Sequence, residues 1–162
     1  MILRDMPNGV NIMRMHIGGD FFNQTYFDAW MRACEAHPMV RFYGYTKSLP
    51  FWVERILDIP PNMILTASHG GRYDHLIDRH KLKSARVVMH PEEAEALGLE
   101  VDHDDSHAHS SNESFALLIH SAQPSSSLAS QAVIQLKREG VDFSYGQGKK
   151  LNAKTRRAAE SV

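Results

Sequence analysis

A repeated unit, in which a short apolar segment precedes a helix-type segment, constrains the fold more than any other feature. The first unit is the most regular. Residues 10–17 read VNIMRMHI, Gly18-Gly19-Asp20 follow, and residues 24–36 place apolar side chains at helical spacing. Further apolar segments occupy residues 39–46, 62–68, 85–89 and 115–120. Strands that alternate with helices pair in parallel through right-handed crossovers, which predicts an α/β fold.

The predicted sheet is mostly parallel, with five or six strands in βα repeats, the sixth being VDFSYG at residues 141–146. At 162 residues the chain is too short for an eight-stranded barrel, which takes about 250 residues. A partial, open barrel or a short wound sheet fits this length. We expect residues 1–148 to form a single α/β domain and residues 149–162 to form a frayed, basic tail.

Side-chain spacing predicts which faces are buried. In the helix at residues 24–36, the core-facing stripe is Phe27, Trp30, Met31 and Cys34. Cys34 is therefore interpreted as a buried apolar residue and not as a nucleophile. In the second strand, one face carries Arg41, Tyr43, Tyr45 and Lys47, and the other carries Val40, Phe42 and Gly44.

Several local boundaries also follow from the sequence. Asn23 or Thr25 is expected to cap the first helix, and Ser125 or Ser126 to cap a helix that ends at Glu139. The polar residues 102–114 are predicted to form a loop.

Composition excludes several classes of protein. The formal net charge is −1, so the chain as a whole has no basic surface for nucleic acid. No apolar run approaches the ~20 residues that span a bilayer, and the single cysteine excludes an internal disulfide. A cytoplasmic protein without membrane contact is the simplest expectation. Only the tail is basic, through Lys149, Lys150, Lys154, Arg156 and Arg157.

Polar residues cluster where the predicted strands end, and parallel α/β sheets carry their functional loops at this edge. The candidate cleft residues are His16, Gly18, Gly19, Asp20, Lys47, Ser68, His69, His90 and His120. Four of the ten histidines thus fall at strand ends. The alternative is that these residues are incidental polar caps of the following helices, and Asp20 could equally be such a cap.

The sequence matches none of the compact motifs for metal, phosphate or serine chemistry. The strand-end histidines have no metal-ligand spacing, and the segment from Asp104 to His109 is expected to be a solvated loop, so no metal site is predicted. The Gly18-Gly19-Asp20 turn lacks the lysine of a P-loop and the dinucleotide fingerprint. A serine nucleophile elbow is absent as well.

Three segments resemble a family of uncharacterised tailed-phage proteins named after gene product eighty-eight of mycobacteriophages. They are MRMHIGGDFFNQTYFDAW, VRFYGYTKS and FALLIHSAQPSSSLASQAVIQLKREGV. The resemblance implies a phage-encoded protein expressed in a bacterial host cytoplasm, and it supplies no reaction. Members often carry a cysteine-rich segment before the first block, which this chain is expected to lack.

The βα units are also similar, at the level of the fold, to partial barrels of radical S-adenosylmethionine enzymes. In those enzymes a Gly-Gly-Glu turn contacts the methionine amine, and Gly18-Gly19-Asp20 stands in the matching place. Such enzymes hold an iron–sulfur cluster on three cysteines, and the missing cysteines argue against cluster chemistry within this chain.

We therefore expect a non-catalytic protein that interacts with a host or phage component, with no cofactor specified. One alternative is a metal- or S-adenosylmethionine-dependent enzyme with Asp20, Lys47, His69 and His120 in its site. A second is an accessory protein that binds nucleic acid through its tail. The open edges of a partial barrel could also pair two copies as a homodimer.

Overall fold

The structure, a computed structural model, describes residues 6–120 and 123–141. Its strands are β1 (Ile12–Arg14), β2 (Arg41–Thr46), β3 (Met63–Ser68), β4 (Ser84–Val88) and β5 (Phe115–Leu118). Its helices are α1 (Gln24–Ala36), α2 (Leu49–Glu54), α3 (His75–His80), α4 (Pro91–Ala96), α5 (Ser106–Ser110) and α6 (Leu128–Glu139). Each strand is thus followed by a helix, and β4 is followed by two.

The five strands form one all-parallel sheet in the order β1-β2-β3-β4-β5, curled into a half-barrel. Strand order equals chain order, so each crossover returns the chain to the next place in the sheet. β4 and β5 are shifted along the sheet relative to the first three strands, because Ala67 near the end of β3 pairs with Ser84 at the start of β4. The prediction of an α/β fold with a partial barrel is confirmed. The predicted sixth strand lies, apart from Val141, outside the described residues, as does the basic tail.

The main core lies where α1, α2 and α3 pack on one face of the sheet, the outer face of a barrel. All four residues of the predicted α1 stripe are buried, Cys34 completely. Burial raises the pKa of the Cys34 thiol to about 12, which leaves it protonated at neutral pH. The interpretation of Cys34 as a buried apolar residue is confirmed.

The inner face of the half-barrel is covered by the short helix α5, which contacts β2 and β3. Along β2 the side chains alternate as predicted. Phe42 and Gly44 are buried in the main core, whereas Tyr43 and Tyr45 face α5 and pack with Ala108 and Phe115 in a separate cluster. The chain therefore fills the open side of its own half-barrel.

The start of the chain differs from the prediction of a strand over residues 10–17. β1 covers only Ile12–Arg14. The Met15 N–H still donates to the Tyr43 carbonyl, but the His16 carbonyl accepts a hydrogen bond from Arg14 Nε at 3.0 Å instead of from a strand. The chain leaves the sheet at that point and enters the Gly18-Gly19-Asp20 turn.

Two later boundaries also differ. Part of the predicted polar loop, Ser106–Ser110, is helical because it packs against the sheet. α6 begins after Ser127, whose side chain accepts a hydrogen bond from the Ser130 N–H at 3.0 Å, and not after Ser125 or Ser126. Its end is as expected, with Gly140 in the left-handed conformation after Glu139.

Candidate functional site

Asp20 ties the end of β1 to the end of β2. Its Oδ1 accepts hydrogen bonds from the Phe21 N–H at 2.7 Å and the Thr46 hydroxyl at 2.6 Å. Its Oδ2 accepts from the Lys47 N–H at 2.7 Å. The turn itself needs glycine, because Gly19 has a φ of +83°. Asp20 is therefore a structural brace between two strand ends.

Lys47 reaches from β2 to the turn that follows β3. Its Nζ donates a hydrogen bond to the His69 carbonyl oxygen at 2.7 Å. The turn leaves little room beside Lys47, since a Cβ at Gly70 would lie 3.2 Å from Lys47 Nζ and one at Gly71 would lie 3.2 Å from Lys47 Cβ. Asp74 holds the turn by accepting the Gly70 and Gly71 N–H groups at 2.8 and 2.9 Å.

The His69 side chain continues these contacts to β4. Its Nε2 lies 3.1 Å from the Ser84 hydroxyl, and Ser84 Oγ lies 3.1 Å from Ser114 Oγ. On the other side of the ring, Nδ1 lies 3.5 Å from an Arg86 guanidinium nitrogen and 3.8 Å from Asp74 Oδ2. We call Asp20, Lys47, His69 and Ser84 the strand-end network, because direct contacts join them across β1 to β4.

Three other predicted cleft residues lie beside this network. His16 packs against the rings of Phe21 and Trp30, and its Nε2 lies 3.2 Å from the Tyr26 hydroxyl. Burial lowers the pKa of His16 by more than the negative charge of Asp20 raises it, so the ring is neutral at pH 7. Gly18 is exposed, with open space where a Cβ would stand. Ser68 is half-buried in β3 and pairs with Ala85.

The last two predicted residues make different contacts. His90 occupies the N-cap position of α4 without a capping hydrogen bond from its side chain, and its Nε2 lies 2.7 Å from Glu139 at the end of α6. His120 Nδ1 lies 2.9 Å from the Leu118 carbonyl oxygen, in the strand that precedes it. The described contacts thus join Asp20, Lys47 and His69 to one another, and they link His90 to α6.

Two clefts flank the strand-end network. The first, which we call the aromatic cleft, has a volume of about 410 Å³. Its main lining residues are Phe21, Phe22, Phe51, Tyr73, Lys47 and Arg72. Phe22 is 71% exposed and stacks on Tyr26 at 4.4 Å between ring centroids. The exposed ring of Phe22 beside two cations distinguishes this cleft from an ordinary polar surface.

The second, which we call the serine cleft, has a volume of about 480 Å³. Its polar lining includes His69, Ser84, Ser114, Arg86 and Lys81, and its aliphatic lining is Ile77, Leu82, Leu97 and Leu99. His69 belongs to the network and faces this cleft, whereas Lys47 faces the aromatic cleft. The network therefore forms a wall between two differently lined clefts.

Sequence reasoning missed a polar cluster on the inner face of the half-barrel. Asp105 accepts hydrogen bonds from Arg14 at 3.1 Å, from the Tyr43 hydroxyl at 3.0 Å and from the Tyr45 hydroxyl at 2.7 Å. The shared parity of Tyr43 and Tyr45 in β2 marked this face. Asp105 lies about 60 residues away from them in the chain, in the segment predicted to be a solvated loop, but its side chain is only 13% exposed. These bonds hold the start of α5 against the sheet.

The end of α5 is held by Lys83. Its Nζ donates to the carbonyl oxygens of His107, Ala108 and Ser111 at 2.6, 2.8 and 2.6 Å. Burial lowers the pKa of Lys83 to about 8.

Among residues 6–120 and 123–141, no three His, Cys, Asp or Glu side chains are arranged to hold a metal ion. Within the same ranges, no helix is long and apolar enough to cross a membrane.

Comparison with known proteins supplies a family and no activity. No curated protein matches the chain, and no solved structure matches it. The similarity to radical S-adenosylmethionine barrels therefore stays a prediction. The alternative of a metal- or S-adenosylmethionine-dependent enzyme stays a prediction as well. A profile of the family described as "Gene product 88" matches residues 2–136, which is most of the 162-residue chain. The chain belongs to the gene product 88 family.

Proposed function

We propose that this protein is a phage-encoded interaction protein of the bacterial host cytoplasm, and that its aromatic cleft is the binding site. The expected ligand is a segment of a host or phage protein that presents an aromatic or aliphatic side chain next to a carboxylate. The observation that carries the proposal is the cleft lining, in which four aromatic rings lie beside the cations of Lys47 and Arg72.

The lining fits both the apolar side chain and the carboxylate of this ligand. Clefts that hold small ligands or side chains are mostly apolar, with a few charged groups that fix orientation. Phe22 exposes most of its ring to solvent, and covering such a ring removes apolar area from water at about 25 cal/mol per Å². Arg72 stacks on Tyr73 at 5.7 Å, so its guanidinium is held at the rim, where a carboxylate can reach it.

The strand-end network supports binding because it makes one wall of the cleft rigid. Asp20 fixes the Lys47 N–H, and Lys47 Nζ is fixed on the His69 carbonyl. The ammonium has three donors, of which this bond uses one, so a ligand carboxylate can accept another. Binding sites with such pre-positioned groups lose less entropy when a ligand binds.

The test is a titration of isotope-labelled protein with two hexapeptides, followed by amide chemical shifts in nuclear magnetic resonance spectra. One peptide contains aspartate and phenylalanine, and the other replaces each aspartate by lysine. We expect saturable shifts at Phe51, Gly71 and Tyr73 with the acidic peptide alone. The variants Arg72→Glu and Phe22→Ser should each raise its Kd about tenfold or more, which is about 1.4 kcal/mol.

Arg138→Glu is the matched control, because Arg138 is exposed on α6 and does not line the aromatic cleft. It makes the same charge change and should leave the Kd unchanged. Equal shifts with both peptides, or no saturation at millimolar concentration, would overturn the proposal.

A further inference from the structure

The imidazole of His69 lies between Ser84 and Asp74 beside the serine cleft. Ser84 Oγ lies 3.1 Å from His69 Nε2, and across the ring His69 Nδ1 lies 3.8 Å from Asp74 Oδ2. A hydroxyl, an imidazole and a carboxylate in this order form the arrangement used for acyl transfer on unrelated folds. We propose that Ser84 is the nucleophile, His69 the base and Asp74 a positioning residue for hydrolysis of aliphatic carboxylic esters in this cleft.

The offset between β3 and β4 brings the three residues together. Ser84 pairs with Ala67, and the His69 N–H donates to the Ala85 carbonyl at 3.1 Å, so the end of β3 lies beside the start of β4. Asp74 is held by the amides of the Gly70–Gly71 turn. The arrangement thus comes from strand pairing, without the glycine-flanked elbow by which such serines are recognised in a sequence.

The charges of the three groups suit their roles. Burial lowers the pKa of His69, and Arg86 lowers it further, against the effects of Asp74 and Asp78, so the imidazole is neutral at pH 7. Burial disfavours the Asp74 carboxylate, but the Gly70 and Gly71 amides and nearby cations outweigh this and lower its pKa. Asp74 is therefore ionised when His69 is a neutral base.

The tautomer of His69 decides whether it can act as a base. Nε2 must carry the lone pair toward Ser84, so the proton must sit on Nδ1. In this structure the Arg86 guanidinium, which can only donate, lies 3.5 Å from Nδ1 and favours the opposite tautomer, whereas the Asp74 carboxylate, which can accept the Nδ1 proton, lies at 3.8 Å. His69 therefore becomes the base only when Asp74 approaches Nδ1 in place of Arg86. Distances within such sites are often long in unliganded proteins and shorten when substrate binds.

The reaction balances with water as its only co-reactant. Ser84 Oγ bonds to the ester carbonyl carbon, and its proton passes to His69 Nε2. The alcohol leaves with that proton, and the acyl group stays on Ser84. Water then bonds to the acyl carbon while giving a proton to Nε2, and this proton returns to Ser84 Oγ as the carboxylic acid leaves. The oxyanion on the carbonyl oxygen is stabilised by a cation of the cleft, whose lining includes Lys81 and Arg86, the latter two residues after Ser84 on the same face of β4.

The rest of the cleft indicates the class of substrate. Ile77, Leu82, Leu97 and Leu99 line a volume of about 480 Å³, which suits an uncharged aliphatic acyl chain. Ser84 is only 7% exposed, so a large or polymeric acyl group would not reach its hydroxyl. We infer a short aliphatic ester as the substrate.

The test uses the intact chain with p-nitrophenyl butyrate and, separately, with a fluorophosphonate probe. We expect saturable release of p-nitrophenolate and a probe adduct that peptide mass spectrometry places on Ser84. Ser84→Ala and His69→Gln should each lower kcat about 100-fold or more. Ser110→Ala, an exposed serine on α5, is the control and should leave kcat unchanged.

Asp74→Asn separates positioning from a merely structural role. It should lower kcat with little change in KM, and it should move the acidic limb of the kcat/KM profile to lower pH, because Asp74 raises the pKa of His69. Absence of any adduct on Ser84 in the unaltered protein, which needs no variant to fold, would overturn the proposal. Unchanged hydrolysis by folded Ser84→Ala would do the same. A positive result would make the expectation of a non-catalytic protein wrong and leave binding at the aromatic cleft untouched.

Discussion

Replacement of Asp105 by asparagine tests the cluster that holds α5 inside the half-barrel. Asp105 accepts hydrogen bonds from the Arg14 guanidinium and from the hydroxyls of Tyr43 and Tyr45, and its side chain is 13% exposed. It also has a φ of +65°, a conformation that asparagine adopts more readily than most residues. Asp105→Asn therefore removes the charge while keeping the shape and the backbone.

The expected loss follows from the three contacts. The Arg14 side chain is about one-third exposed, so its ion pair is worth about 1 kcal/mol. Each tyrosine hydroxyl that loses a charged acceptor loses about 1 kcal/mol, because an amide oxygen can replace only part of the carboxylate. We expect Asp105→Asn to lower the free energy of unfolding by about 3 kcal/mol.

Urea unfolding followed by far-ultraviolet circular dichroism measures this loss. Asp104→Asn is the matched control, because Asp104 is exposed and accepts only a local hydrogen bond from the Ser106 N–H. It should cost less than about 1 kcal/mol. Burial raises the pKa of Tyr43 to about 12 together with Asp105, so in Asp105→Asn this pKa should fall, while burial keeps it above its usual value. A loss below 1 kcal/mol with an unchanged tyrosine titration would refute the reasoning.

Four shorter predictions follow from other contacts. Asp20→Ala should cost about 2–3 kcal/mol in urea unfolding because three donors lose their acceptor, and a loss below about 1 kcal/mol would contradict its role as a brace. Asn23→Ala should cost about 1 kcal/mol through the lost cap, whereas Thr25→Ala should cost less than half as much. Burial lowers the pKa of Lys83 to about 8 from 10.5, so the unfolded chain binds more protons between these values, and stability should rise with pH across that window. Lys83→Met should lose this rise, and parallel stability curves for the two proteins would contradict it. If the tail binds nucleic acid, deleting residues 149–162 should abolish retention on immobilised DNA, and unchanged retention would remove the tail as its basis.

Part of the candidate site was predictable because parallel strands end at one edge of a sheet. This rule placed Asp20, Lys47 and His69 near one another, and the structure joins them by hydrogen bonds. It could not predict the partners of His90, because Glu139 lies 49 residues later in the chain. Ser84 was also missed, since it lies at the start of a strand and approaches His69 only through the offset of β4.

The sequence by itself determined the alternation of strands and helices, the buried stripe of α1, the parity of β2 and the family. Each of these depends on residue spacing within a segment or on local motifs. Tertiary structure alone decided that the half-barrel is filled by α5, held by Asp105 and Lys83, and that His69 stands between two clefts. These features depend on contacts between residues far apart in the chain, and no local spacing specifies such contacts. The Gly18-Gly19-Asp20 turn illustrates this difference. Its sequence predicted a position at the end of a strand, whereas only its contacts with Thr46 and Lys47 show that Asp20 is a structural brace.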